Sequence, residues 1–322
     1  LLDKFILAIT QGVSEFLPIS SSGHLIIAEN IMGIDPQKNL SFDILMHLAT
    51  ALALIIVLYE SKINTKDFQA FHQAVTGKKP SLVDFVHNCK IILLSFYQPS
   101  LKMKSYDGDN KNHADIIMPS APVAIKGLTK KIFPYLIASA PVAVAGLAFS
   151  VFDIVDQLRN FETIAITSAL LGVAFLFMKN TGKSFQLQAS SRWINFSDKS
   201  FKNLLLIGLI QPLALIPGVS RSGITTLAAV LLGYSFKDSL KISFFLFFPA
   251  VFLSLGDTLL KFIEGHSLLL AGINAILPFF AAFGAGYISA KYLLKYINRI
   301  GFKPFGVYRI LLGLILLGAF FQ

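Results

Sequence analysis

The feature that most restricts this chain is a series of long apolar runs, two of which are broken. A bilayer-spanning helix needs roughly 20 predominantly apolar residues. Six stretches meet or approach that length: 42–59, 133–151, 163–178, 242–260, 268–290 and 305–321. Two others, 4–29 and 204–232, are interrupted at LPISSSGH and IPGVSRSG. Each break follows a proline and carries a glycine shortly after, so each half is too short to span. Irregular backbone at membrane depth is tolerated where it is buried in protein or lines a cavity. The two broken runs therefore read as re-entrant hairpins made of half-helices. Charged residues make up 14% of the 322 residues, against about 25% in a typical soluble domain. The fold class predicted is an all-α integral membrane protein, with six spanning helices plus two re-entrant helical hairpins.

The net charge of +10 suits basic cytoplasmic loops. No run interleaves basic residues with exposed aromatics, so no nucleic acid partner is expected. Loop 61–132 has eleven lysines against five aspartates, and loops 179–203 and 291–303 are also basic. If both broken segments return to their own side, all three basic loops fall on one face, which the positive-inside rule makes cytoplasmic. The first hairpin then opens outward and the second inward. Cys89 is the one cysteine, so an intrachain disulfide or Cys-rich metal centre is excluded. Residues 1–27 are too polar for a cleavable signal peptide, and Leu1 in place of Met implies further residues upstream.

The broken segments align with each other at an offset of 200: Gln11 with Gln211, Ser20 with Ser220, Ser22 with Ser222, and Gly23 with Gly223. The chain reads as one membrane domain, 1–322, with an inverted repeat. One half is 1–60 with 133–178, the other is 204–322, and 61–132 is an inserted cytoplasmic loop with an apolar run at 91–97. In such repeats, sites lie near the midplane between discontinuous helices.

Chemistry concentrates at the breaks. Gln11 and Glu15, four apart, share a helix face. Pro18 stops that helix, and the next half-helix, expected to begin near Gly23 and His24, offers free N–H groups to an anion. In the second break Pro217 and Gly218 bend the chain before Ser220, Arg221, Ser222 and Thr225. Arg221 is a permanent cation with a fork suited to phosphate. Intramembrane ionisable groups are functional candidates by default. If the breaks meet, Glu15, His24 and Arg221 share a cavity with several hydroxyls, the parts of a phosphoryl-transfer site. Glu15 with Gln11 is also a candidate oxygen site for a divalent metal. The bland readings are close packing for the serines and glycines, and a structural ion pair for Arg221 and Glu15. His47, Glu60 and Asp257 read as packing or interface residues.

The motifs QGVSEFLPISSSGHL and PGVSRSGITT resemble the two signatures of the undecaprenyl-diphosphate phosphatase family, also called the bacitracin-resistance protein family. The resemblance covers roughly residues 1–60 and 130–322. It implies a multi-pass enzyme of the bacterial cytoplasmic (inner) membrane, with its active site opening to the periplasmic or extracellular side. Such an enzyme hydrolyses undecaprenyl diphosphate to undecaprenyl phosphate, recycles the carrier for peptidoglycan synthesis and can confer bacitracin resistance. By motif position, Ser21 is the nucleophile and Glu15 or His24 its proton acceptor. Ser20, Ser220, Arg221, Ser222 and Thr225 bind the diphosphate. The resemblance also implies Mg²⁺ or Ca²⁺ at Glu15, with Gln11 a further candidate ligand. The partners implied are the polyprenyl diphosphate and membrane lipid, with a homodimer allowed. Gln11 stands where many members have a second Glu, and loop 61–132 is longer than usual. The acid-phosphatase-like lipid phosphatases need a His six residues after the motif Arg, and here that residue is Leu227. A lipid-phosphate transporter or flippase of the same architecture is the alternative.

Overall fold

The computed structural model describes residues 2–34, 40–63, 121–152, 154–180, 198–263 and 275–320. The run 91–97, Cys89 and most of loop 61–132 lie outside the described residues, as does the side chain of Asp257. Among the described residues the secondary structure is entirely helical. In chain order the helices are α1 Leu2–Phe16, α2 Ser21–Met32, α3 Leu40–Ile63, α4 Ala121–Val151, α5 Ile154–Leu158, α6 Phe161–Phe177, α7 Asp198–Ile210, α8 Arg221–Leu231, α9 Phe236–Ile263, α10 Ile276–Ile300 and α11 Lys303–Phe320. Residues 1–57 with 134–322 form one compact unit and residues 58–133 another.

Both sequence breaks are real interruptions. Helix α1 stops at Phe16 because Leu17 precedes Pro18, and the residue before a proline is steered out of helical geometry. Helix α2 begins at Ser21, two residues before the sequence expectation, because Ser20 caps it by accepting from the Gly23 N–H. Helix α2 then returns along α1, where Leu25 and Met32 pack with Leu7 and Ala8.

The second break starts earlier than IPGVSRSG suggested. Helix α7 ends at Ile210, and Gln211–Leu215 is a 3₁₀ turn. Pro212 has no N–H to continue the helical ladder, and its ring crowds the carbonyl four residues back. Gly218 then takes φ 86°, and Ser220 caps α8 by accepting from the Gly223 N–H, as Ser20 does for α2.

A further correction concerns 291–303, expected to be a loop. Helix α10 runs on to Ile300 and is closed by Gly301 at φ 70°. Leu293, Leu294 and Ile297 are buried while Lys291, Lys295 and Arg299 are exposed, a helical period. Arg299 lies in the last turn of the helix, where the macrodipole favours a cation.

Close approach of backbones joins the bundle. Helices α6 and α11 meet across glycines: a Cβ on Gly172 would lie 2.8 Å from the Gly306 carbonyl oxygen, and one on Gly313 would lie 2.7 Å from that of Ala165. Helix α1 meets α10 at Gly12, where a Cβ would lie 2.6 Å from the Ala282 oxygen, and α7 meets α4 at Gly208 against Ala138. A methyl group at Gly172 has a carbonyl to displace rather than a flexible side chain. Gly172→Ala is therefore expected to cost about 1–3 kcal/mol, read as a lower thermal denaturation midpoint of the purified protein in detergent.

Burial is inverted relative to a water-soluble bundle. Gln11, Glu15, Thr50, Gln211, Thr225, Thr226 and Arg309 are buried, whereas Leu147, Leu170 and Ile315 are 67–71% exposed. Among the described residues one helix, Ile276–Ile300, is long and apolar enough to cross a bilayer by length and composition; Phe133–Phe149, Phe161–Phe177 and Phe201–Leu215 are shorter apolar helices.

Candidate active site

The turns after α1 and before α8, about 200 residues apart in sequence, touch. A Cβ on Gly23 would lie 3.5 Å from the Gly218 Cα, and the Ser222 hydroxyl donates to the Leu17 carbonyl at 3.2 Å. Two helix N-termini, those of α2 and α8, thereby line one cavity of about 210 Å³. Its polar lining is Glu15, His47, Ser20–Ser22 and Ser220–Ser222 with Arg221. Its apolar lining includes Val142, Leu215, Phe247 and Val251. Helix N-termini carry unpaired N–H groups and a partial positive charge, which favour an anion.

Glu15 is the hub. Its Oε1 receives Arg221 Nη2 at 2.6 Å. Its Oε2 receives the Ser21 hydroxyl at 2.7 Å and the Gln11 amide at 2.8 Å. The carboxylate is almost wholly buried, so these three donors supply the solvation that water would otherwise give. Arg221 also lies over the Phe247 ring, 4.1 Å from its centroid, a cation–π contact that helps hold a guanidinium away from water. A hydroxyl hydrogen-bonded to a carboxylate that is itself oriented by a third group has the form of an activated nucleophile.

Two residues expected at the site, His24 and Thr225, are placed differently. His24 does not line the cavity. Its Nδ1 lies 2.7 Å from the Ser20 carbonyl, so it donates there, and its Nε2 accepts from the Tyr308 hydroxyl at 2.6 Å. Thr225 is fully buried, behind Arg221. Its hydroxyl meets the Arg221 carbonyl at 2.7 Å and the Ser243 hydroxyl at 2.8 Å, tying α8 to α9. Ser20 and Ser220 are engaged as caps, and each also pairs with the serine two residues on, at 3.3 and 3.0 Å. Ser20 holds φ 75°, a conformation uncommon for a residue with a Cβ, which sharpens the turn that presents Ser21.

Two residues were missed. His47, read as packing, lines the cavity, with Nδ1 2.9 Å from the Gln11 amide nitrogen and 3.7 Å from Glu15 Oε2. No sequence motif marks it. Arg309 on α11 is fully buried and donates to carbonyls on both breaks: Pro18 at 3.3 Å and Gly218 at 2.7 Å, with Ser168 and Thr167 of α6 at 3.3 and 3.5 Å. A lone charge inside an otherwise apolar run was the available signal.

The donor set does not fit a divalent ion held by the protein alone. Glu15 is the one carboxylate lining the cavity and both its oxygens are engaged. Gln11 turns its nitrogen toward Glu15 and His47 while its oxygen is buried without a partner. Among the described residues no cluster of three His, Cys, Asp or Glu could hold a metal.

The family model for bacitracin resistance protein BacA matches residues 4–315. The chain belongs to the BacA family. Among its BacA-family relatives is undecaprenyl-diphosphatase 2 of Stutzerimonas stutzeri, 31% identical, with 99% of this chain and 98% of the relative covered. The undecaprenyl-diphosphatases of Campylobacter concisus and Acetivibrio thermocellus are each 32% identical over 98% of this chain, covering 97% and 96% of the relatives.

Proposed function

We propose that this BacA-family chain is an undecaprenyl-diphosphatase, hydrolysing undecaprenyl diphosphate to undecaprenyl phosphate and inorganic phosphate. The carrier is thereby recycled for peptidoglycan synthesis, and bacitracin resistance follows from its supply. The observation that carries the mechanism is the Ser21–Glu15–Arg221 chain, which links a hydroxyl, a carboxylate and a cation across the two breaks. The diphosphate enters against the N-termini of α2 and α8 and draws Arg221 onto its oxyanions. Glu15 is then free to take the Ser21 proton at Oε2. The Ser21 oxygen bonds to the terminal phosphorus as the bond to the bridging oxygen breaks, and the lipid phosphate departs with that oxygen. Glu15 gives the Ser21 proton up to the departing lipid phosphate. It then receives one from the water that attacks the phosphoserine and returns it to the Ser21 oxygen as inorganic phosphate leaves. Ser20, Ser220 and Ser222 border the diphosphate, whereas Thr225 and His24 brace the helices that present it. A divalent cation, Mg²⁺ or Ca²⁺, would enter bound to the diphosphate as part of the substrate, adding positive charge against its oxyanions.

The same reading makes α3, α4, α6, α9, α10 and α11 six membrane spans, with α1–α2 and α7–α8 the re-entrant hairpins. The apolar exterior and polar interior support it. So does an exchange between halves, in which α1 packs on α10 of the second half and α7 packs on α4 of the first. Paired caps at Ser20 and Ser220 fit an inverted repeat of 1–60 with 133–178 and 204–322. The site would open to the outer face of the bacterial cytoplasmic membrane, with the apolar cavity wall leading the prenyl tail into lipid.

A carrier of lipid phosphate could share this architecture, but it has no need of a hydroxyl held on a carboxylate. Purified protein in vesicles, given a C15 or C55 prenyl diphosphate and divalent metal, is expected to release phosphate. Movement of lipid phosphate between leaflets without phosphate release would establish the carrier instead.

A further inference from the structure

We propose that His47 is a substrate-contacting hydrogen-bond donor, fixed by Gln11 in the neutral tautomer that carries its proton on Nε2; this rests on the phosphatase reading above. Gln11 is 1% exposed on α1, and its side-chain nitrogen lies between two acceptors, Glu15 Oε2 at 2.8 Å and His47 Nδ1 at 2.9 Å. An amide nitrogen has two hydrogens to give and no lone pair to offer. Turning the amide over would set its oxygen against the Glu15 carboxylate, which Arg221 and Ser21 already mark as the acceptor. The amide therefore donates to both neighbours. Nδ1 of His47 must then be bare, and the ring's proton must sit on Nε2.

His47 lines the cavity beside Glu15, Ser21 and Arg221, and its side chain is 32% exposed. A neutral imidazole gives up its Nε2 proton only by becoming an anion, so it serves as a donor to the phosphate oxygens and not as an acid. Fixed donors of this kind act on charge that develops during phosphoryl transfer. Gln11 acquires a role in the same step. It is a positioning residue that transmits the orientation of Glu15 to His47, and a carboxylate at that position could not donate to both.

Three variants and two readouts test this. His47→Leu removes acceptor and donor. It is expected to lower kcat/KM for a prenyl diphosphate by about 10²-fold, mainly in kcat, the usual loss for one such donor. His47→Gln keeps an oxygen to accept from Gln11 and an N–H to donate, and is expected to recover most of that loss. Nitrogen-15 spectra of histidine-labelled protein, with the His47 signals identified by their absence from His47→Gln, should show a bare Nδ1 and a protonated Nε2. Gln11→Leu should replace that pattern by a mixture of tautomers. Wild-type kcat/KM in His47→Leu would overturn the proposal while leaving the phosphatase reading intact, as would a protonated Nδ1 in the wild-type spectrum. A failure of His47→Gln to recover activity would do the same. Failure of the wild-type protein to release phosphate would overturn both, and the tautomer spectrum would then report the Gln11 contact by itself.

Discussion

Glu15→Gln is expected to lower the rate of phosphate release by about 10³-fold, within the usual range for loss of a general base, with no rise in KM. The Ser21 hydroxyl would lose the carboxylate oxygen it now meets at 2.7 Å, so its proton would have no acceptor of comparable strength. Arg221 would lose its partner at 2.6 Å and so be more available to the diphosphate. A loss in kcat without a loss in affinity marks an interaction that matters in the transition state. Arg221→Met should do the reverse in binding and raise KM, because the diphosphate then loses its cation and Glu15 is left buried without its counter-charge. Steady-state phosphate release by the two variants separates these outcomes. Equal effects on KM would mean that Glu15 and Arg221 form a structural pair.

Arg309→Met is expected to be the most damaging single change to folding, about 3 kcal/mol or more, because it leaves buried carbonyls without their donor at about 1–3 kcal/mol each. The guanidinium satisfies carbonyls of Pro18, Gly218, Ser168 and Thr167. Methionine fills a similar volume but donates nothing, and buried acceptors left without partners carry the full cost of desolvation. Two of those carbonyls belong to the chain reversals themselves, where a proline and a glycine have already removed helical partners. Arg309→Lys should be intermediate, since an ammonium keeps the charge but lacks the planar fork that reaches two turns at once. The midpoint of thermal unfolding in detergent measures the order, wild type above lysine above methionine. A methionine variant as stable as wild type would show that other groups hold the breaks together.

The sequence made the two breaks readable because each uses a strong local signal. Pro18 steers Leu17 out of helix, and Ser20 and Ser220 each stand three residues before the glycine N–H they cap. On sequence alone, breaks that meet bring Glu15, His24 and Arg221 into one cavity, whereas Ser21, with Glu15 or His24 as its proton acceptor, is read from the family resemblance. What sequence did not reveal was set by neighbours in space. His47 sits mid-helix in an apolar run, and its role depends on Gln11, 36 positions away. His24 has the motif position of a catalytic imidazole, yet Tyr308, 284 positions on, occupies its outer nitrogen. Thr225 faces Ser243 rather than the cavity. The helical run through 291–300 was readable from the period of Leu293, Leu294 and Ile297, but clustered cations made it look like a loop.

The claim that the two breaks together make one phosphoryl-transfer centre is tested most directly by phosphate release from a prenyl diphosphate by Ser21→Ala beside the wild-type protein. Alanine retains the fold of the turn and removes the oxygen that Glu15 holds. The expected result is release by the wild type and a loss of at least about 10³-fold in the variant, as for other nucleophile deletions. Undiminished release by Ser21→Ala would contradict the account and assign the attack to water.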